Sequence, residues 1–458
     1  MKKVDAKNLK IAYIGGGSRG WAWTLMTDLA RESEIAGTMR LYDIDVPAAQ
    51  KNEIIGNRLS AREDVVGKWK YEVKETIGEA LKDVDFVIIS ILPKTFDEME
   101  VDVHMPERLG IYQSVGDTAG PGGMMRALRT LPMFIGFAEA IKEYCPDAWV
   151  INYTNPMSLC VKALYTAFPK IKAFGCCHEV FGTQKVLAEI VKRELGEKNV
   201  TKDDININVQ GINHFTWFDY ATYKSVDLFP VYKKYIDEHY EEGIEFGDDN
   251  WMNSTFACAH RVKFDLFRRF GLIAAAGDRH LAEFMPGDDY LKNPEQVTAW
   301  KFGLTTVAWR KEDLKHRLER SERLAKGEEE INIHEETGEE GVSMIKALCG
   351  LGRKITNVNI PNFGHQIPNL PEEAVVETNA LFERDEVRPL YAGPLNDNVK
   401  ELVMPHINNH ERIMKVVLGG NKDVDLVCEA FKNDPLMKGK ANDAEIKQLV
   451  TDMMRATL

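Results

Sequence analysis

The sequence predicts an α/β protein with a doubly wound parallel sheet in its N-terminal part and an α+β domain after it. Three observations lead to this prediction. Short apolar runs alternate with amphipathic stretches through the first 200 residues, a glycine-rich turn follows the first apolar run, and charge-rich helical segments dominate after residue 200. Strands that alternate with helices form parallel sheets, because each helix returns the chain to the edge where the next strand begins.

The predicted elements of the first half follow this alternation. Five apolar runs are interpreted as buried strands, at 11–14, 40–42, 86–92, 150–153 and 172–176. Six amphipathic stretches are interpreted as helices, at 23–31, 48–62, 96–109, 126–144, 158–167 and 183–194. Continuous apolar runs of this length are typical of strands that are buried on both faces.

The second half has a different character. Residues 206–211 and 216–223 indicate two strands that can pair antiparallel, 314–340 indicates an exposed helix with a mobile loop, and 357–376 indicates an extended stretch. We therefore predict an NAD-binding domain at 1–200 and an α+β substrate and metal-site domain at 201–458.

Composition excludes several classes of function. The chain has 458 residues, and 71 acidic against 58 basic side chains give a net charge of -13. Nucleic acids and anionic membranes bind basic surfaces, so neither is an expected partner. No apolar run reaches the roughly 18 residues of a membrane span, and no signal sequence is evident. The seven cysteines are scattered apart from one adjacent pair, so we expect a cytoplasmic protein without a disulfide scaffold.

The glycine-rich turn predicts a nucleotide site. Gly15, Gly17 and Gly20 have the spacing G-x-G-x-x-G between a strand and a helix. With Ser18, this turn lets the backbone approach a pyrophosphate at the positive end of the helix dipole. Asp43 ends the second strand, where a carboxylate accepts the ribose hydroxyls of NAD and repels the extra phosphate of NADP. The sequence thus predicts a Rossmann-type NAD site, and the alternative is a tight turn that binds no nucleotide.

Chemically versatile side chains recur where the predicted strands end. They lie in four motifs, at 152–156, 175–179, 211–215 and 277–283. The first two motifs follow strands of the parallel sheet, at the edge where open α/β sheets bind ligands. Cysteine and histidine in these motifs suit a divalent transition metal with open coordination positions. Taken singly, Cys177 and His214 are better explained as packed core residues, and only their joint context favours a metal site.

Two further segments have open interpretations. Asp117 and Thr118 precede a glycine-rich helix entry, so they are either a helix cap or a loop over the nicotinamide and the sugar. In the second case Arg126 or Arg129 faces the site. Asn362 and Asn369 either close over the site or satisfy backbone groups in turns.

At these motifs the chain resembles glycoside hydrolase family 4. The resemblance covers nearly the whole chain in the right order and rests on residues 11–17, 41–45, 116–123, 154–156, 177–178, 213–215 and 362–371. It implies a Rossmann-type domain, NAD and a divalent metal, usually Mn²⁺. The family is the NAD-dependent exception to the two-carboxylate glycosidases.

The resemblance also implies roles for single residues. Cys177 and His214 match the metal ligands, and Asn155 matches a residue that contacts sugar hydroxyls. His178 lies where some members carry the acid that protonates the leaving group. Asp278 is the candidate for the proton acceptor.

The reaction that the resemblance implies is a redox-assisted elimination. NAD accepts a hydride from C3 of the sugar, and the resulting ketone acidifies the proton at C2. The metal assists as a Lewis acid, a base removes the C2 proton, and the aglycone leaves with help from an acid. Water then adds and the ketone is reduced again, so NAD is regenerated.

The substrate is predicted to be an oligosaccharide with an α-linked galacturonic acid. Residues 277–284 and the turn at 15–21 look most similar to the α-galacturonidase branch of the family. Arg279 is the candidate for binding the C6 carboxylate, because arginine forms bidentate bonds with carboxylates. The alternative is that Arg279 forms a structural salt bridge with Glu283 or Asp278.

Other functions remain as alternatives at this point. One is an NAD-dependent 2-hydroxy-acid dehydrogenase, since such enzymes share the lactate/malate dehydrogenase architecture. Others are an α-galactosidase or α-glucosidase of the same family and a redox or metal sensor built around Cys176 and Cys177. The resemblance further suggests a homo-oligomer.

Overall fold

A nine-stranded sheet is the centre of the molecule. The computed structural model describes residues 4–247, 250–334 and 337–458. Within these ranges the strands are β1 (Leu9–Ile14), β2 (Gly37–Tyr42), β3 (Trp69–Val73), β4 (Phe86–Ile89), β5 (Trp149–Asn152), β6 (Lys172–Gly175), β7 (Ile205–Ile212), β8 (Phe215–Tyr223), β9 (Val226–Asp227), β10 (Ile273–Ala274), β11 (Lys354–Pro361), β12 (Val375–Glu383) and β13 (Glu386–Pro389).

Helices cover both faces of this sheet and build most of the second half. They are α1 (Trp21–Ala30), α2 (Val46–Ser60), α3 (Ile77–Leu81), α4 (Phe96–His104), α5 (Gly120–Tyr144), α6 (Met157–Ala167), α7 (Glu179–Leu195), α8 (Leu228–His239), α9 (Arg261–Phe270), α10 (Asp278–Glu283), α11 (Gly287–Tyr290), α12 (Pro294–Ala299), α13 (Val307–Lys326), α14 (Gly341–Leu348), α15 (Asp397–Leu418), α16 (Val424–Asn433) and α17 (Asp443–Thr457).

The first six strands form the predicted parallel sheet. Their spatial order is β3-β2-β1-β4-β5-β6, and every neighbouring pair is parallel. The strands β1 and β4 are almost wholly buried, which explains their apolar runs. The α/β prediction for the N-terminal part is therefore confirmed.

The edge strand β3 was not predicted. Its sequence alternates buried Trp69 and Tyr71 with Lys70 and Glu72. Lys70 is exposed, and Glu72 is partly buried in ion pairs with Lys70 and Lys74. Such alternation is typical of an edge that faces water on one side, so the strand lacks the continuous apolar run of its neighbours.

Three C-terminal strands extend the same sheet. Strand β11 pairs antiparallel with β6 through Asn359 and Gly175, and β12 and β13 follow outward. The predicted extended stretch 357–376 thus contains one strand, a turn and the start of another. Residues beyond 200 complete the N-terminal sheet, and the division of the chain at residue 200 stays a prediction.

The second sheet is small and antiparallel. Strand β8 pairs with β7, β9 and β10, which confirms the two strands expected at 206–211 and 216–223. The turn between β7 and β8 carries His214, which has a positive φ of 64°. The exposed helix expected near residue 314 is α13, and part of the predicted mobile loop lies outside the described residues.

Two other expectations can be compared with the fold. Helix α5 begins at Gly120, earlier than predicted, and Pro121 occupies its first turn, where a missing amide hydrogen costs nothing. All seven cysteines are buried thiols. In the described part of the chain, no helix is both long enough and apolar enough to cross a membrane.

Candidate active site

The glycine turn after β1 has the conformation that the sequence predicts. Gly15 has a φ of 96°, and a Cβ there would overlap the carbonyl oxygen of Ser90. The Gly17 amide donates to Oδ2 of Asp43 at 2.8 Å, while the Asp45 amide donates to Oδ1 at 2.9 Å. The Asp43 carboxylate is thus fixed beside the turn, at the end of β2.

Asn52 supports this turn, a role that the sequence did not predict. Its side-chain amide donates to the carbonyl oxygens of Gly16 at 2.8 Å and Ser18 at 2.9 Å. Its Oδ1 accepts from the indole of Trp23 at 2.9 Å. A polar residue within an amphipathic helix gives no sign of such a role, because surface positions carry the same residue types.

A cavity of about 610 Å³ joins the glycine turn to the motifs at the ends of β4 and β5. One end is lined by Gly15, Gly17, Ser18 and Asp43. Its lining also includes Asp117, Arg126, Asn155, Phe256 and Arg310. The structure therefore places the predicted cofactor residues and Asn155 around one continuous space.

Three potential metal ligands lie together near this cavity. One ligand atom each of Asp117, His214 and His280 lies within 4.8 Å of the others. The imidazoles of His214 and His280 are 3.8 Å apart between ring centroids, and Thr118 Oγ1 lies 3.1 Å from Nδ1 of His214. Sequence reasoning placed His214 here but gave no role to His280, although its motif had been noted.

Electrostatics favour a charged carboxylate and neutral imidazoles in this group. Burial opposes ionisation of Asp117, but the charge of Arg126 outweighs it and holds the pKa below its usual range. Burial, aided by the neighbouring His280, lowers the pKa of His214 to about 3. Deprotonated oxygen and nitrogen ligands are the forms that bind a metal.

Unpartnered polar atoms show that this group fits a divalent ion and a polyhydroxylated ligand. Nδ1 of His280, Oδ1 of Asn155 and Oδ1 of Asn213 are buried, and none has a hydrogen-bond partner in the described structure. Buried polar atoms are normally paired, so their exceptions call for a ligand. The donor set of one carboxylate and two imidazoles suits Mn²⁺ or a similar metal.

Cys177 lies at the end of β6 and is 7% exposed. Burial, with the carboxyls of Glu377 and Glu179, raises the pKa of its thiol well above the ordinary value. Cys177 belongs to none of the groups of three ligand residues found among the described residues. Its role as a metal ligand with His214 stays a prediction.

His178 faces a different space from the cavity described above. Its side chain is 48% exposed, and Nδ1 lies 3.0 Å from Oε1 of Glu339. Partial burial opposes protonation, but the hydrogen bond with Glu339 and the charge of Glu179 outweigh it and raise the pKa of His178. It lines a second cavity of about 260 Å³ together with Glu179, Lys263 and others. Its role as an acid stays a prediction.

The contacts of Asp278 do not support the expected role of proton acceptor. The carboxylate is fully buried and accepts from the amides of Val262 at 3.0 Å and Lys263 at 3.3 Å, at the start of α9. The Lys263 ammonium lies 3.6 Å away. The family resemblance gave no sign of this capping contact, so the assignment of Asp278 stays a prediction that its surroundings disfavour.

Arg279 does not form the salt bridge that was the alternative expectation for it. Its guanidinium donates to the carbonyl oxygen of Ser114 at 3.0 Å and lies 5.2 Å from the ring centroid of Phe256. In the part of the chain that the structure describes, it has no ion pair within 4.0 Å with Glu283 or Asp278. It is also not among the residues that line the large cavity. Its role in binding substrate stays a prediction.

The two open segments can now be interpreted. Asp117 and Thr118 do not cap α5, because its N-cap is Ala119 and the Gly122 amide of its first turn donates to Oε1 of Gln113 at 2.8 Å. Instead the Thr118 hydroxyl donates to Oδ1 of Asp117 at 2.7 Å, beside His214. The side-chain amide of Asn362 donates to backbone oxygens of its own turn, among them Ile367 at 2.9 Å, so this segment satisfies backbone groups.

Comparison with known proteins decides the family. The model of "Family 4 glycosyl hydrolase" matches residues 10–193, and that of "Family 4 glycosyl hydrolase C-terminal domain" matches residues 209–437. The chain belongs to glycosyl hydrolase family 4. An alpha-galacturonidase of Lachnoclostridium phytofermentans is 65% identical over 98% of this chain and 96% of its own length. An alpha-galactosidase of Bacillus subtilis is 28% identical over 98% of both chains.

Solved structures agree with this family 4 fold. The crystal structure of LplD from Bacillus subtilis has a TM-score of 0.92 and 50% identity, and it covers 98% of this chain and 100% of that one. A 6-phospho-alpha-glucosidase from gut microorganisms, in complex with NAD and Mn²⁺, has a TM-score of 0.78 at 20% identity over 98% of both chains. A malate dehydrogenase of Cryptosporidium parvum has a TM-score of 0.51 at 15% identity, covering 90% of this chain and 99% of that one. The predicted dehydrogenase-like architecture is therefore confirmed.

Proposed function

We propose that this family 4 enzyme is an α-galacturonidase that uses NAD and Mn²⁺ to release galacturonic acid from an α-linked oligosaccharide. The observation that carries the proposal is one continuous cavity, which runs from the glycine turn to Asp117 beside His214 and His280. The relative that is 65% identical over 98% of the chain supports the choice of sugar. An α-galactosidase or α-glucosidase is less well supported, because the galactosidase relative is only 28% identical.

The glycine turn is the proposed site of the dinucleotide. Gly15, Gly17 and Ser18 offer the pyrophosphate a close backbone approach at the N-terminus of α1. Each Asp43 oxygen accepts one backbone amide and keeps a lone pair for a ribose hydroxyl. Asp43 would thereby favour NAD over NADP, because its negative charge repels a 2′-phosphate.

His214 is the proposed anchor of the metal. Asp117 and His280 offer further ligand atoms close by, and Cys177 is the ligand that the family resemblance adds. When bound, NAD supplies a hydride acceptor and the metal supplies Lewis acidity. The fixed left-handed turn at His214 positions its imidazole without help from a flexible loop.

The remaining residues are proposed to orient the sugar and move protons. Nε of Arg126 donates to the backbone carbonyl oxygen of Asn155 at 3.1 Å. The side-chain oxygen Oδ1 of Asn155 has no partner among the described residues and can accept from a sugar hydroxyl. His178 has a raised pKa, so its protonated form can give a proton to the leaving oxygen. The hydrogen bond to Glu339 holds its ring in the second cavity, so this role requires the leaving oxygen to lie on that side of the site.

The test is a comparison of initial rates on two aryl α-glycosides, a galacturonide and a galactoside. Both are measured with NAD, Mn²⁺ and a thiol reductant. We expect a clear preference for the galacturonide and no net formation of NADH. A clear preference for the galactoside would refute the proposed sugar. Steady accumulation of NADH would instead support a dehydrogenase.

We also propose that the enzyme acts in the cytoplasm as a homo-oligomer. Seven buried thiols are consistent with a reducing compartment. The oligomeric state can be measured by light scattering coupled to gel filtration. A monomeric mass at micromolar concentration would refute this part of the proposal.

A further inference from the structure

Arg310 presents an unpaired guanidinium to the large cavity. It lies in the first turn of α13 and lines the cavity together with Asp117 and Arg126. Its Nε is buried and has no hydrogen-bond partner. Over residues 4–247, 250–334 and 337–458, its side chain makes no hydrogen bond and no ion pair within 4.0 Å. Burying a guanidinium nitrogen without a partner is costly, so this position calls for an anion.

Other cations that line the cavity have partners. Arg19 pairs with Asp45 at 2.9 Å, and Arg317 pairs with Asp313 at 2.6 Å. The Lys94 ammonium donates to the carbonyl oxygen of Thr457 at 2.7 Å. Arg310 therefore differs from these three in having neither a side-chain hydrogen bond nor an ion pair of its own within the described part of the chain.

The surroundings of Arg310 carry excess positive charge. Its electrostatic neighbours are Asp117, Arg279, Arg126 and Glu283. Burial raises the pKa of Glu283 to about 8, so this carboxyl is mostly neutral at pH 7. Three guanidinium groups thus face one ionised carboxylate. A second anion would reduce this excess of positive charge.

The position of Arg310 identifies which part of a ligand it meets. Its neighbour Asp117 accepts from the Asn155 side chain at 3.5 Å and lies beside His214, at the proposed sugar end. The pyrophosphate of NAD is expected instead at the glycine turn, where backbone amides and the α1 dipole attract it. A carboxylate on the sugar is therefore the anion closest to Arg310.

We propose that Arg310 binds the C6 carboxylate of the substrate and is the residue that selects a uronic acid over a neutral sugar. This inference rests on the proposed function, and it replaces Arg279 by Arg310 as the reader of the carboxylate. The planar guanidinium matches a carboxylate with two parallel hydrogen bonds, which a neutral hydroxymethyl group cannot accept in the same way.

The experiment compares aryl α-galacturonide with its C6 methyl ester, which has the same sugar ring without the charge. Arg310→Gln should lower kcat/KM for the galacturonide about 100-fold, because a buried charge pair is lost. The ester should change by less than about 5-fold, since only the charged group senses the guanidinium. Arg310→Lys should give a kcat/KM for the galacturonide between those of Arg310→Gln and wild type, because lysine keeps the positive charge but cannot donate two parallel hydrogen bonds.

A matched control and two further readouts complete the test. Lys315→Gln alters a cation on the same helix whose side chain is 68% exposed, and it should leave both rates unchanged. Thermal unfolding checks that the variants fold, and a fluorescence titration measures their affinity for NAD. An equal loss on both substrates, or a loss of NAD affinity with the selectivity intact, would overturn the assignment of Arg310. A wild-type enzyme that does not prefer the galacturonide would refute the proposed function itself.

Discussion

Among single residues, Asn52 shows how one buried amide can shape a cofactor site. It makes three buried hydrogen bonds, to Gly16, Ser18 and Trp23. The glycine turn has few side chains of its own, so its conformation depends on such external support. A backbone carbonyl that loses its buried donor stays out of contact with water and has no hydrogen bond, which destabilises the fold.

We expect Asn52→Ala to lower the free energy of unfolding by about 2–4 kcal/mol, since three buried hydrogen bonds are lost. NAD affinity should fall as well, because the turn loses its support. Urea unfolding and an NAD titration measure the two effects. Gln50→Ala, at an exposed position of the same helix, is the control and should change neither. A variant as stable as wild type would contradict this account of the turn.

The proposed metal anchor leads to a second prediction. His214→Ala should weaken Mn²⁺ binding at least about 100-fold, because the loss of a ligand exceeds the 10–100-fold cost of losing its supporting partners. Calorimetric titration with Mn²⁺ measures this directly. His316→Ala, which removes an imidazole that is 70% exposed, should bind Mn²⁺ like wild type. Unchanged Mn²⁺ affinity in His214→Ala would place the ion elsewhere.

The sequence predicted some of the site and not the rest, for physical reasons. Asn155 follows an apolar strand of the parallel sheet, so its position at the ligand edge could be inferred, whereas the role of His214 came from the family resemblance. Arg310 lies on a charge-rich helix, where the sequence does not distinguish an arginine that lines a cavity from one that is exposed to solvent. Asp278 was expected to face the substrate, but only the fold shows that its carboxylate caps α9. Capping by a residue far from its helix in sequence leaves no local signal.

At the scale of elements, the start of α5 positions the loop that carries Asp117. A Cβ on Gly123 would overlap the backbone of Thr118, whereas one on Gly136 in the same helix would meet nothing within 4 Å. Thr118 contacts both Asp117 and His214. Close packing of the helix against this loop therefore requires glycine at 123.

We expect Gly123→Ala to lower the free energy of unfolding by about 1–3 kcal/mol, because backbone atoms must move apart. It should also reduce activity by displacing Asp117. Gly136→Ala is the matched control and should raise stability by about 0.5–1 kcal/mol, since alanine favours a helix over glycine. Urea unfolding of both variants tests this, and equal stabilities would contradict the close packing.

Asp434 ties the turn before residue 436 to the start of α5. Its buried carboxyl accepts from the Leu436 amide at 3.0 Å and contacts the Gly120 amide. Burial outweighs these hydrogen bonds and raises the pKa of Asp434 to about 7. In the unfolded chain the pKa of an aspartate is about 4. Between these values the folded state binds the proton, so this residue makes stability fall as pH rises from about 4 to about 7.

Asp434→Asn removes this titration while keeping an oxygen that can accept from Leu436. We expect wild type to lose more stability than the variant when pH rises from 5 to 8. The free energy of unfolding in urea at both pH values gives the comparison. Parallel pH curves would show that Asp434 has an ordinary pKa in the folded protein.

For the whole molecule, the continuous sheet joins the two halves of the chain. The parallel strands were predictable because burial on both faces produces apolar runs. The pairing of β11 with β6 was not predictable, since no local sequence pattern indicates which distant strand pairs with the edge of a sheet. One hydrophobic core contains Ala12 and Val87 from the first half and Trp217 and Val403 from the second.

This continuity leads to a prediction about the division at residue 200. A fragment of residues 1–200 should not fold cooperatively on its own, because the edge of β6 and part of the core would be exposed. The division would then describe where cofactor and substrate bind, and not two folding units. Thermal unfolding followed by circular dichroism checks this. A sharp transition with native helix content would show that the first 200 residues are an independent domain.

The central claim is that this family 4 enzyme cleaves its glycoside by oxidation and elimination. Hydrolysis of an aryl α-galacturonide in D₂O tests it most directly, because elimination exchanges the C2 proton of the sugar with solvent, whereas direct displacement at C1 leaves it untouched. We predict that nuclear magnetic resonance will show deuterium at C2 of the galacturonic acid released. A product that carries only protium at C2 would contradict the account.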